Sequence, residues 1–257
     1  MNDLLAIARE AVEIGYRLVT TSEPGVVREK GDRDLVTELD VQVQQHIRAH
    51  LEQATPDIAF LGEEDGGGEL DQTADAVWVL DPIDGTSNFA HGLPLCAVSL
   101  ALVERGESVI GVIAAPFLGL RYHATKGGGA FVNEKPIQAS SNKDLGRAII
   151  AVGDYAVGPG AAEKNDYRRS VTRSLVENAE RVRMLGSAAI DLVWVAEGRV
   201  DACVLYSNKP WDTAAGVLIA REAGAIVADT SGVPHDFSSR TTVAVAPGIA
   251  SALWPML

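Results

Sequence analysis

The chain has 257 residues, of which 47% are hydrophobic, 22% charged and 5% aromatic, a balance that supports a substantial packed core and excludes disordered and fibrous classes. Its formal net charge of -13 argues against a nucleic-acid surface, because phosphate backbones are bound by clusters of Lys and Arg that this sequence lacks. No stretch is apolar for long enough to span a bilayer, and two cysteines in apolar surroundings are too few for a disulfide framework, so the expected compartment is a reducing cytoplasm.

The opening "MNDLLAIAREAVEIGYRLV" reads as an amphipathic helix; with Asp3, Arg9, Glu10 and Glu13 spread through it, it has neither the basic start nor the apolar run of a signal peptide. A polar stretch with turn residues, "EPGVVREKGDRDLVTELD", leads to a second helix marked by Val43, Ile47 and Leu51 at helical spacing. "IAFLGEEDGGGELD" is a short strand running into an acidic, Gly-rich loop, and "AVWVLDPIDGTSNF" repeats that design. From Leu95 to Ile137, strands alternate with tight turns at residues 105–107, 116–119 and 127–129, the pattern of an antiparallel meander. The second half changes rhythm. Strand "AIIAV", an irregular loop over residues 153–166, helix "YRRSVTRSLVENAE", strand "RVRML", helix "SAAIDLVWVAEG", strand "VDACVLY", helix "TAAGVLIAREAG" and strand "AIVA" predict layered α/β packing. The expectation is one domain, with an α+β half over about residues 1–145 and an α/β half over about 146–257, and no internal repeat.

Three acidic sites occupy strand ends or helix starts, where α/β folds assemble their active sites. In "WVLDPIDGTSNFAHG" a buried run stops at Asp81 and Asp84. A turn with Thr86 or Ser87 as helix cap is one reading, and a pair of carboxylates aimed at hard divalent cations such as Mg²⁺ is the other. On the second reading Gly85 and Thr86 offer backbone N–H groups to a phosphate. Glu63 and Glu64 follow another apolar run, and Asp212 precedes a helix rich in small residues; each alone also fits a solvated loop or a cap. Thr37 and Asp40 sit where a cap of the second helix belongs, and His46 and His50, four apart, lack a third metal ligand nearby. A cysteine-nucleophile phosphatase needs Arg six residues after the thiol, but Leu102 and Lys209 stand there. An aspartyl-phosphate hydrolase of the haloacid dehalogenase type spaces its two aspartates one residue closer than Asp81 and Asp84, and it stays an outside alternative.

Taken in order, "DLVTELD", "GEED", "WVLDPIDGTSNFAHGLP", "GSAAIDLVWVAEGRVDA" and "KPWDTAAGVLIAREAG" resemble the inositol monophosphatase family of metal-dependent, lithium-sensitive phosphatases over nearly the whole chain. The resemblance implies an αβαβα layered sandwich and two or three Mg²⁺ ions per site. Glu63, Asp81 and the carbonyl of Ile83 would hold the first ion, Asp81, Asp84 and Asp212 the second, with Glu63 contributing to a third. Asp40 and Thr86, alongside Glu63, would serve catalysis by orienting and activating water. Asp84, Gly85, Thr86 and Asp212, with Gly186, Ser187 and Ala188, would contact the substrate. It further implies a homodimer acting on a small phosphate monoester, with neither nucleic acid nor membrane as partner. Inositol 1-phosphate is the leading substrate, and histidinol phosphate, a sugar phosphate or a nucleotide are the alternatives, because Leu205 stands where inositol phosphatases commonly carry a ring-contacting glutamate. A family member whose main role is binding a protein or RNA partner is the non-enzymatic alternative.

Overall fold

The computed structural model describes residues 2–31, 34–66 and 68–257; Asp32 and Arg33 of the polar stretch and Gly67 of the acidic loop lie outside them. Alternation along the strands sets the architecture, since successive side chains of a strand point to opposite faces. In β4 (Val77–Asp84) and β5 (Ala97–Glu104), Val77, Val79, Ala97, Ala101 and Val103 join one apolar cluster, while Trp78, Leu80, Val98, Leu100 and Leu102 join another. Both faces are therefore covered, which is why these strands read as continuous apolar runs instead of alternating with polar residues.

The larger sheet has the order β3 (Ala59–Gly62), β4, β5, β6 (Glu107–Ala115), β7 (Leu120–Thr125), β8 (Ala130–Val132), β9 (Lys135–Pro136). Only the β3–β4 pair is parallel; the rest form the antiparallel meander. One face carries α1 (Asn2–Thr21) and α2 (Glu38–Ala54) through Ala8, Val12, Val43 and Ile47. The other carries α5 (Ala188–Ala196) and α6 (Pro210–Glu222), which are sandwiched against a second sheet of order β11 (Arg181–Arg183), β10 (Ile149–Val152), β12 (Ala202–Leu205), β14 (Thr242–Val245), β13 (Ile226–Ala228). Ala151, Cys203 and Ala244 face these helices. Ile150, Val204 and Val243 face the opposite way, onto α4 (Ala161–Asn178) and α7 (Ala250–Leu253). The layers thus run helix, sheet, helix, sheet, helix, the αβαβα sandwich.

Several elements differ from the sequence expectation. The polar stretch holds a hairpin of β1 (Val27–Gly31) and β2 (Asp34–Thr37), a short pair whose polar residues gave no alternating apolar signal. The α4 helix begins inside the stretch read as loop, because Gly160 in the left-handed region turns the chain into it. β14 and α7 lie past the last element read from the sequence. Finally, α6 begins at Pro210, where proline's missing N–H costs nothing, so Asp212 sits within its first turn and does not precede it.

Candidate active site

The two aspartates of β4 are three residues apart, a spacing that on a regular strand would aim them at opposite faces. The pairing with β5 resolves this. Asp81 lies opposite Ser99 and Asp84 opposite Ala97, so β4 spends one residue more than β5 across the interval, a bulge that turns the second carboxylate back to the side of the first. Pro82 falls within this irregular interval, the position a sheet tolerates for a residue with no N–H to donate. Asp212, from the first turn of α6, completes a group in which one carboxylate oxygen from each of Asp81, Asp84 and Asp212 lies within 4.8 Å of the others.

Burial is the main force on these groups. It pushes the Asp81 carboxyl far above the usual carboxylate range, and the charges of Glu63, Asp84 and Asp212 push the same way. Asp212 is raised by burial and then by Asp84 and Glu63. Asp84 is pushed up to about 6 by burial, against hydrogen bonds from Ser187 and Ala189 that pull it down. Its carboxylate takes the Ser187 hydroxyl, the Ala189 N–H at 2.8 Å and the Ala188 N–H at 3.3 Å, so the N-terminus of α5 carries it where the helix dipole favours negative charge. Asp81 Oδ1, by contrast, is buried and accepts no hydrogen bond from the protein.

Glu63 enters from a 3-10 turn, Glu63–Asp65, directly after β3. Gln44 of α2 pins this turn by accepting from the Glu64 N–H and donating to Asp65, both at 3.0 Å. On the other side, Asp40 is fully buried in a capping box at the start of α2: its Oδ2 accepts from the Thr37 N–H at 3.0 Å and from the Thr37 hydroxyl. Its Oδ1 faces the Thr86 hydroxyl at 3.0 Å, and the same hydroxyl lies 3.0 Å from the carbonyl oxygen of Ile83. Gly85, between β4 and the short α3 (Thr86–Ala90), has φ 87°, and a side chain there would come within 2.8 Å of the Leu95 carbonyl. Asn88 locks this corner to the approach to α5, donating to the carbonyls of Leu95 and Leu185 at 2.7 Å each.

Asp84 and Asp212 open onto a cavity of about 220 Å³ whose wall includes Gly186, Ser187, Ala188, Leu205, Asp154 and Arg168. The sequence reading did not single out Asp191, fully buried on α5, whose Oδ1 has no hydrogen-bond partner and which lines the same cavity. A lone acid inside the apolar run "AAIDLVWV" was its available signal. Other candidates lie elsewhere. His46 bonds the Gln42 carbonyl and His50 faces Glu10, while Cys96 and Cys203 are buried thiols, Cys96 pushed up to about 12 by burial and inert as a nucleophile.

A strand-end carboxylate cluster between two sheets can be compared with known proteins. The family model described as "Inositol monophosphatase family" matches residues 1–255. The chain belongs to the inositol monophosphatase family. It is 37% identical to the inositol-1-monophosphatase ImpA of Mycolicibacterium smegmatis, over 87% of this chain and 79% of that one. It is also 37% identical to the Nus factor SuhB of Pseudomonas aeruginosa, over 92% and 87%. Among solved structures, the IMPase of Thermotoga maritima superposes with a TM-score of 0.88 at 33% identity, covering 100% of this chain and 96% of that one. As an inositol monophosphatase family member the chain is a phosphoric monoester hydrolase, and the family is metal-dependent. The residues present fit a divalent cation: buried, mutually repelling carboxylates, one with an orphaned oxygen, are a hard-oxygen donor set that a cation neutralises.

Proposed function

We propose that this chain hydrolyses a small metabolite phosphate, with inositol 1-phosphate as the leading substrate, at a centre of two or three Mg²⁺ ions held by Glu63, Asp81, Asp84, Asp212 and the Ile83 carbonyl. The observation that carries the reading is Asp81: a buried carboxylate with an unpartnered oxygen, facing two other carboxylates, is costly unless a cation completes it. Bound Mg²⁺ would supply the Lewis acidity that activates water and stabilises charge on the phosphoryl and leaving oxygens.

The protein's own contribution is positioning. The Thr86 hydroxyl has one hydrogen and two acceptors, Asp40 Oδ1 and the Ile83 carbonyl, so it donates inward and keeps a lone pair for a water proton. Asp40 is fixed by Thr37, which fixes Thr86 in turn. The left-handed turn at Gly85 brings the start of α3 close to the carboxylates, where backbone N–H groups meet a phosphate. Asp84 has its oxygens engaged by Ser187, Ala188 and Ala189, which argues against its serving as a phosphorylated nucleophile. Gly186, Ser187 and Ala188 border the substrate cavity while holding that carboxylate, and Leu205 gives it an apolar wall.

The test is a phosphate-release panel with inositol 1-phosphate, histidinol phosphate, fructose 1,6-bisphosphate and AMP, with and without Mg²⁺. Inositol 1-phosphate turnover that requires Mg²⁺ and falls by roughly a hundredfold in kcat in Thr86→Val supports the reading. The name of the Pseudomonas relative favours a second reading, a partner-binding role. Absence of turnover on every ester, with a folded protein, would select it.

A further inference from the structure

A second cleft, of about 890 Å³, adjoins the active-site cavity, and Arg168 and Tyr206 line both. Arg168 rises from α4 and lies over the Tyr206 ring, its guanidinium carbon 4.7 Å from the centroid. Its N–H groups reach only neutral acceptors, the carbonyls of Asp154 at 2.7 Å and of Tyr206 at 3.4 Å. Lys164 and Arg240 line the same cleft, and none of these three cations takes part in an ion pair among the described residues. In a chain of net charge -13, three unpaired cations around one cleft are unexpected.

The acids of the cleft do not serve them. Asp229 Oδ1 accepts from the Ser231 N–H and hydroxyl and the Val233 N–H, and Asp236 Oδ1 accepts from the Ser238 N–H and hydroxyl and the Ser239 N–H. Both close their own turns. Arg168 is thus held by stacking and two carbonyls at the rim of the active-site cavity, with donors left over; the Asp154 carboxylate is near enough to favour its charge but forms no ion pair with it.

We propose that the substrate carries a second anionic group, phosphate or carboxylate, several bonds from the phosphoryl group to be removed, and that Arg168, with Lys164 and Arg240, binds it. The inference rests on the metal-dependent phosphatase reading and departs from its leading substrate, since inositol 1-phosphate carries no anion besides the phosphoryl group to be removed. The monoester enters between Asp84 and Asp212, its carbon skeleton passes the apolar Leu205, and its far end meets the guanidinium. A guanidinium already ordered on an aromatic ring loses little entropy on binding an anion, which favours Arg over a free lysine as the anchor.

The test uses the Mg²⁺-loaded full chain at low ionic strength with fructose 1,6-bisphosphate, 2-phosphoglycerate and glycerol 2-phosphate. These offer a second phosphate, a carboxylate and no second anion. The expected result is a higher kcat/KM for one or both of the first two, with the preference showing which anion is recognised. In Arg168→Gln the ratio of that kcat/KM to the glycerol 2-phosphate value falls roughly tenfold, through KM, and in Arg240→Gln and Lys164→Gln it falls less. Equal efficiency on all three esters in the wild type, or equal loss on all three in Arg168→Gln with unchanged ratios in the two exposed variants, overturns the inference while leaving the phosphatase reading in place. No Mg²⁺-dependent release from any ester takes down both.

Discussion

Asp81 is the residue at which stability and function pull in opposite directions. Its carboxylate is buried beside Glu63, Asp84 and Asp212 and has an oxygen without a protein partner. Replacing it with Asn removes a repelled charge and no protein hydrogen bond at Oδ1. The metal-free Asp81→Asn protein is therefore expected to melt at or above the wild-type temperature, and a clearly lower Tm would show that the carboxylate is held by the protein alone. His235 obeys a different balance. It is buried, its Nε2 lies 2.9 Å from Asn208 Oδ1 and 3.1 Å from the Thr242 hydroxyl, and burial, followed by the charge of Arg221, lowers its pKa to about 4. The unfolded chain binds a proton near pH 6.5 that the folded one refuses until about pH 4. Stability is therefore full above that window and falls as pH drops through it, by roughly 3 kcal/mol from this group. In His235→Gln the urea midpoint should fall less steeply between pH 6.5 and 4; an unchanged slope would place the acid sensitivity elsewhere.

Between elements, α5 and α6 approach closely. A Cβ on Gly216 would lie 2.7 Å from the Leu192 Cβ and 2.6 Å from its Cδ1, and Leu192 is fully buried with no room to retreat. Alanine in place of Gly216 gains at most about 1 kcal/mol of helix propensity against an overpacking cost of about 1–3 kcal/mol, so Gly216→Ala should lower unfolding free energy in urea. A stability gain would mean that the two helices are free to part. The same scale explains what the sequence made legible. Strands buried on both faces announced themselves as apolar runs, and the acidic sites stood out because each ends such a run or stands at a helix start. The β1–β2 hairpin stayed hidden, since its polar residues carry no alternation, and the start of α6 was missed because Pro210 reads equally as a breaker. The bulge between Asp81 and Asp84 was not readable either: only the register against Ser99 and Ala97 shows why a spacing of three brings two carboxylates together. Gly186, Ser187 and Ala188 could be placed near the site by resemblance, but the donation of Ser187, Ala188 and Ala189 to Asp84 belongs to tertiary structure.

For the whole molecule, the proposed centre would draw its ligands from separated segments: the turn after β3, the end of β4 and the start of α6. A cation bound there ties the middle helical layer to the larger sheet and is absent from the unfolded chain. Binding should therefore raise global stability by about 2.7 kcal/mol at a hundred times Kd, a Tm increase of roughly 5–10 °C for a chain of this size. Calorimetry with Mg²⁺ and with a chelator checks this, and in Asp81→Asn the increase should shrink or vanish. No helix among the described residues is long and apolar enough to cross a membrane. The decisive measurement is phosphate release from inositol 1-phosphate as Mg²⁺ is titrated into wild type and Asp81→Asn at equal folded concentration. Release that climbs with Mg²⁺ in the wild type and stays lower by roughly a hundredfold or more in the variant is the predicted result. Wild-type rates in Asp81→Asn, or release indifferent to Mg²⁺, would contradict it.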